Sequence, residues 1–210
     1  MKTYGPAPFH IDYFYTATPD CLPNGPHFSY AYYIFYAGVV GMSVTFIGTW
    51  VYQLTLSRFR FRPVLLLTTV LVVIGGLGDL MIVTRWNLRL GIPDKVAYII
   101  GEAILEPLVD AMNWIPVSAL LSIAVPKGNE SSCYAFVAGI SNFSRMVSTL
   151  AGSIIFKTAG VVTVPDPVCN FEPMWYLLIV CHIVLPLIVG IPAVWLVPNL
   201  KQTDTIEDVY

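Results

Sequence analysis

Charged residues are scarce in this sequence. Asp, Glu, Lys and Arg together make up 11% of its 210 residues, and 56% of the residues are apolar. A soluble domain carries about 25% charged residues, so this composition excludes an ordinary water-soluble domain and predicts an all-α integral membrane protein. The net charge of −2 provides no electrostatic basis for binding nucleic acid.

Motifs of catalysis and of metal or cofactor binding are also missing. The sequence has no paired histidines at metal spacing, no Ser–His–Asp pattern and no glycine-rich phosphate loop. We therefore expect a protein that is not an enzyme, with no cofactor and no metal. The N-terminal segment has one positive charge before Pro and aromatic residues, which is not the pattern of a signal peptide.

The four cysteines do not follow a metal-binding spacing. We interpret them mainly as small apolar residues that fill space between helices. Cys21 and Cys169 are different because they fall in two loops that we expect on the same side of the membrane. A disulfide between them is an open alternative.

Long apolar runs predict five membrane-spanning helices. Their approximate limits are residues 32–54, 63–84, 96–125, 133–156 and 174–197. Residues 1–18 are too short to span and resemble the end of a truncated sixth helix, followed by a loop at 19–29. The five-helix domain then occupies 30–197, and a polar tail occupies 198–210.

Positive charges barely decide the orientation of these helices. The side with Arg58, Arg60 and Arg62 has five Lys or Arg residues, and the opposite side has four. Because cytoplasmic loops carry an excess of positive charge, we favour a cytoplasmic position for the tri-arginine loop. This orientation places Cys21 and Cys169 outside.

The helix at 96–125 carries three acids in an otherwise apolar run. Glu102, Glu106 and Asp110 are spaced i, i+4 and i+8, so they share one helix face, and Asn113 falls on the same face. Each carboxylate would cost about 2.5–3.5 kcal/mol if it faced lipid near the membrane centre. The face is therefore expected to look into protein or a watery cavity, which makes it the first candidate for a functional site.

Arg145 lies near the middle of the next helix and is the expected partner of Asp110. Each charge alone would be costly in the membrane, so an ion pair between them is the natural inference. The pair could be a static lock between two helices. We favour a functional site, because the acids outnumber Arg145 and an unneutralised buried carboxyl becomes a proton carrier. Glu102, Glu106 and Asp110 are thus the candidates for proton coupling.

Two further ionisable residues interrupt apolar helices. Asp79 lies near the end of its helix and is interpreted as structural, with a neighbouring arginine as its expected partner. His182 stands alone in the last helix. We interpret it as a hydrogen-bonded core histidine rather than a ligand or a proton relay.

A long stretch resembles the folate–biopterin transporter family of the major facilitator superfamily. The resemblance is carried by GIPDKVAYIIGEAILEPLVDAMNWIPVSALLSIAVPKGNESSCYAFVAGISNFSRMVSTLAGS and by the upstream segment FHIDYFYTATPDCLPNGPHFSY. Its most specific motifs occupy residues 91–94, 114–116, 126–130 and 141–142. The resemblance covers about residues 9–164, and the residues of these motifs are most similar to those of the folate carriers of parasitic protozoa.

The resemblance implies the C-terminal half of a twelve-helix carrier, with the acidic helix as the tenth and lining the central cavity. The N-terminal half would be absent from this chain. The expected protein is a multi-pass, plasma-membrane secondary carrier, coupled to protons. Its partners would be the lipid bilayer, a folate or pterin substrate, and the missing half or a full-length carrier.

Residue chemistry together with this likeness suggests a substrate site. A carboxylate of Glu106 or Asp110 can accept two hydrogen bonds from the edge of a pterin ring. Arg145 can bind the carboxylate tail of folate, Trp114 or Phe143 can stack on the ring, and Asn113 can add a polar contact. Two alternatives remain open: a carrier of another metabolite such as S-adenosylmethionine, and a non-transporting fragment that associates with full-length carriers.

Overall fold

Helices dominate the part of the chain that the computed structural model describes, which comprises residues 11–125, 128–163, 169–197 and 199–201. The prediction of an all-α membrane protein is confirmed. We number the helices in chain order. They are α1 (Ile11–Thr16), α2 (Ala31–Tyr36, Ala37–Thr55 and Leu56–Arg58), α3 (Phe61–Val83), α4 (Trp86–Arg89), α5 (Asp94–Tyr98, Ile99–Leu105 and Glu106–Ala124), α6 (Glu130–Thr158) and α7 (Met174–Leu178, Ile179–Val184 and Leu185–Leu196).

Four of these helices, α2, α3, α5 and α7, are long and apolar enough to cross a membrane by length and composition. Helix α6 has 29 residues, so it is also long enough, but it is less apolar than the other four. The fifth membrane crossing in our sequence prediction therefore depends on α6, which carries Arg145.

The described bundle is built from contacts among α2, α3, α5 and α7. Helix α2 packs against α5, and α3 packs against both α5 and α7. A small buried cluster of Tyr52, Val64 and Met112 joins α2, α3 and α5. Among the described residues, α6 shares no extended interface with another long helix. Helix α6 contacts the bundle near its own C-terminal end, where Phe156 packs against the buried cluster that contains Tyr15 and Tyr98.

Two of the long helices contain a π-helical segment just before a proline. Ile99–Leu105 precedes Pro107 in α5, and Ile179–Val184 precedes Pro186 in α7. Proline has no backbone N–H and its ring crowds the carbonyl four residues earlier. A wider helical turn at this point relieves the crowding, so both prolines are accommodated within continuous helices.

One end of the bundle is sealed by aromatic residues and a disulfide. Tyr15 and Tyr98 are fully buried there, with their ring centroids 5.0 Å apart. Cys21 and Cys169 form a disulfide with a Cα–Cα distance of 5.2 Å, which lies within the range for such bonds. The bond connects the loop after α1 to the loop before α7.

The opposite end carries the tri-arginine loop. The Arg62 side chain donates from Nε to the backbone carbonyl of Val197 at 2.9 Å, and Arg60 pairs with Lys201 through an isolated antiparallel bridge. Besides its charge, this loop therefore anchors the chain that follows α7.

Candidate functional site

The predicted acidic face lies on α5. Four polar residues of this face are partly buried, with an exposure between that of the core residues and that of the exposed residues of the helix: Glu102, Glu106, Asp110 and Asn113. Glu102 falls inside the π-helical segment Ile99–Leu105, whereas the other acids follow it. The angular register between Glu102 and Glu106 therefore departs from the regular α-helical spacing on which the sequence prediction was based.

The remaining predicted substrate residues are exposed. Trp114 is 56% exposed on α5, and Arg145 is exposed on α6. Because α6 has no extended interface with α5 in the described part of the chain, the structure does not gather Arg145 with the acidic face. The predicted pairing of Asp110 with Arg145 stays a prediction.

A buried polar cluster connects α3, α7 and α1. Oδ2 of Asp79 lies 3.0 Å from Nδ1 of His182. Oδ1 of Asp79 accepts a hydrogen bond from the Tyr15 hydroxyl at 3.4 Å. Asp79 was expected to have a structural role and to pair with a neighbouring arginine. It is instead 7% exposed and pairs with a histidine 103 positions later in the chain.

The sequence reasoning missed this cluster although a signal was present. Asp79 and His182 are each isolated in an apolar helix, and an isolated ionisable group in the membrane calls for a partner. The same argument that paired Asp110 with Arg145 could therefore have paired these two residues.

The motif at residues 91–94 forms a hydrogen-bonded turn between α4 and α5. Gly91 adopts a positive φ of 76°, and Asp94 accepts hydrogen bonds from Arg85 at 3.0 Å and from Asn87 at 2.7 Å. Asn87 is fully buried, and its amide also donates to the carbonyl of Ile92. This motif holds the start of the acidic helix in place.

The apolar helices and the partly buried acids define the chain as a multi-pass membrane protein with ionisable groups inside its helical bundle. The sequence matches the BT1 family over residues 10–209. The chain belongs to this family, and the resemblance found in the sequence is confirmed.

Individual relatives carry names of folate and biopterin transporters. The chain is 30% identical to the probable folate-biopterin transporter 6 of Arabidopsis thaliana, over 93% of this chain and 37% of the relative. It is 24% identical to folate transporter 1 of Plasmodium falciparum, over 78% of this chain and 31% of the relative. It is 28% identical to the folate-biopterin transporter of Synechocystis, over 55% of this chain and 23% of the relative.

The chain thus spans about a third of the length of the curated relatives that it matches. No solved structure matches it.

Proposed function

We propose that this chain is part of a secondary carrier that moves folates or biopterin-type pteridines across the plasma membrane, coupled to protons. Membership of the BT1 family and the names of the relatives support the substrate class. The single structural observation behind the proposal is the acidic face of α5, where three carboxyls are partly buried within a membrane helix.

In this proposal, the acids on α5 have two roles. Glu106 or Asp110 accepts hydrogen bonds from the pterin edge, and Glu102, Glu106 and Asp110 are the candidates that exchange protons during transport. Asn113 and Trp114 follow on the same helix, where they can complete the polar and stacking contacts. Arg145 binds the anionic tail of folate from α6.

Uptake measurements with substituted carboxyls test the proposal. Membrane vesicles containing the chain are incubated with external labelled folate or biopterin, with and without a proton gradient, and the label taken up is measured. The variants Glu106→Gln and Asp110→Asn are compared with the unchanged protein. We expect both substitutions to lower uptake and to change its pH dependence. Asp20→Asn is the matched control, because Asp20 is exposed in a loop. If both variants transport like the unchanged chain at every pH, the proposed role of the face is wrong.

Competition and co-purification separate the alternatives. Uptake of labelled S-adenosylmethionine that neither folate nor biopterin inhibits would indicate a carrier of another metabolite. Co-purification with a full-length carrier, without any uptake by the chain alone, would indicate an associating subunit.

The disulfide supports a particular orientation of the carrier. Disulfides persist in oxidising compartments, so we place the loops of Cys21 and Cys169 on the outer side and the tri-arginine loop in the cytoplasm. A membrane-impermeant protease should then cut the loop after α1 in intact cells and leave the loop of Arg58 untouched. Cleavage of the Arg58 loop alone would reverse the orientation.

A further inference from the structure

We propose that Asp79 and His182 form a proton-binding site, separate from the acidic face of α5, in which the imidazole takes up a proton and becomes the counter-ion of the carboxylate. The two side chains lie 3.0 Å apart across the interface of α3 and α7. In this step a hydronium ion from solvent gives a proton to a ring nitrogen of His182 and becomes water, so one O–H bond breaks as one N–H bond forms; release of the proton reverses the step.

The burial of the pair supplies the driving force for proton uptake. The Asp79 side chain is 10% exposed and the His182 side chain is 23% exposed. With an ionised carboxylate and a neutral imidazole, the pair has a net charge of −1 inside an apolar bundle, which is unfavourable. A proton on the imidazole makes the pair neutral overall and strengthens the hydrogen bond from Nδ1 to Oδ2.

The surrounding ionisable groups do not oppose this proton uptake. Tyr15 of α1 donates its hydroxyl to Asp79, and Glu102 and Tyr98 of α5 and Tyr33 of α2 interact electrostatically with the Tyr15 hydroxyl. Beyond them, Tyr33 donates to the carboxylate of Asp12, and Cys181 adjoins His182 in α7. These groups are hydroxyls, carboxyls and a thiol, so none of them carries a positive charge that would repel an imidazolium at His182.

Backbone geometry also distinguishes His182. The residue lies within the π-helical segment Ile179–Val184, and π-helical turns occur frequently at functional sites. Pro186 removes the amide that would bond the His182 carbonyl in a regular α-helix. A Cβ atom added at Gly76 would lie 2.8 Å from this carbonyl oxygen, so α3 and α7 meet closely at this point.

The depth of the site suits proton exchange with one side of the membrane. Asp79 is four residues from the end of α3 at Val83, and His182 is eight residues from the start of α7 at Met174. With a rise of about 1.5 Å per residue, these separations are roughly 6 and 12 Å. The site is thus within about two helical turns of the end that carries the disulfide.

Nitrogen NMR of the three histidines tests the proposal directly. The full chain is labelled with ¹⁵N-histidine, placed in lipid nanodiscs and titrated from about pH 5 to 8, the range that brackets ordinary histidine titration. The ring signals of His182 are assigned with His182→Gln. At about pH 6.5, we expect the ratio of doubly protonated to neutral His182 to be at least about fivefold higher in the unchanged chain than in Asp79→Asn.

His27 is the internal control for this titration. Its Nδ1 lies 2.7 Å from the backbone carbonyl of Ala17 in the loop after α1, and this contact does not involve Asp79, so Asp79→Asn should leave the ring signals of His27 unchanged. Equal ratios for His182 in both proteins would overturn the proposal. It would also be overturned without any variant, if His182 of the unchanged chain stayed neutral over the whole range while His27 titrated.

The titration reports proton binding and not transport. If His182 titrates as expected but uptake of pterins fails, the proton site stands and the proposed transport by this chain is wrong. If uptake is observed but His182 does not titrate, the carrier function stands and the proton site is wrong.

Discussion

Gly76 of α3 lies directly against His182 of α7. A Cβ atom added at Gly76 would come within 2.7 Å of the His182 Cβ, closer than two such atoms approach in proteins. A second close contact follows on the same helix pair, where a Cβ at Gly190 would lie 2.7 Å from Oγ1 of Thr69. Small residues at these points allow α3 and α7 to approach closely enough for Asp79 to reach His182.

Gly76→Ala should therefore destabilise the bundle. Overpacking of a close interface costs about 1–3 kcal/mol, and the shift of α7 should also lengthen the Asp79–His182 contact. Gly75→Ala and Gly78→Ala are the matched controls, because a Cβ at either position meets no atom within 4 Å. The measurement is the free energy of unfolding in detergent. An alanine at Gly76 that is as stable as the two controls would contradict the close packing.

Loss of the disulfide should destabilise the chain more than loss of either free thiol. The bond closes a loop of 148 residues, and removal of a native disulfide costs about 2–5 kcal/mol. Cys21→Ser and Cys169→Ser are compared with Cys133→Ser and Cys181→Ser, whose thiols are free. Thermal unfolding should start earlier in the first pair of variants. Reduction of the unchanged chain should lower its thermal stability to that of the Cys21→Ser and Cys169→Ser variants. Reduction of these two variants should not change their stability.

Asp94→Ala should loosen the start of α5. The substitution removes the acceptor of the Asn87 amide at 2.7 Å, and Asn87 is fully buried. The amide keeps its bond to the carbonyl of Ile92 but loses the acceptor of its other N–H, and an unsatisfied buried donor costs about 1–3 kcal/mol. Amide hydrogen exchange across the turn at residues 87–94 should accelerate in this variant and not in Asp20→Ala. Unchanged exchange would mean that Asp94 does not hold the turn.

Arg145→Lys should weaken the uptake of folate more than that of biopterin. Folate carries carboxylates that arginine binds with two parallel hydrogen bonds, and lysine cannot reproduce this geometry. Arg89→Lys is the control, because Arg89 is exposed on the short helix α4. The measurement is the ratio of the two uptake rates in each variant. An equal loss for both substrates would remove the proposed role of Arg145 in binding the tail.

Much of the architecture follows from local sequence. Apolar runs such as those in α3 and α7 predict membrane helices, because a backbone surrounded by lipid must satisfy its own hydrogen bonds. The family likewise follows from contiguous motifs, such as the turn at residues 91–94. The helical register around Glu102 was less predictable. The turns before Pro107 are π-helical, and the sequence prediction assumed the regular spacing of an α-helix.

The sequence by itself determined the class of protein, four of the predicted membrane helices and the presence of costly ionisable residues within such helices, because these depend on composition and on neighbouring residues. Only the tertiary structure decided which residues meet. Asp79 and His182 are 103 positions apart, and their contact depends on how closely α3 and α7 pack at Gly76 and Gly190. The joining of Cys21 to Cys169 was likewise decided by the way in which the helices bring two distant loops together.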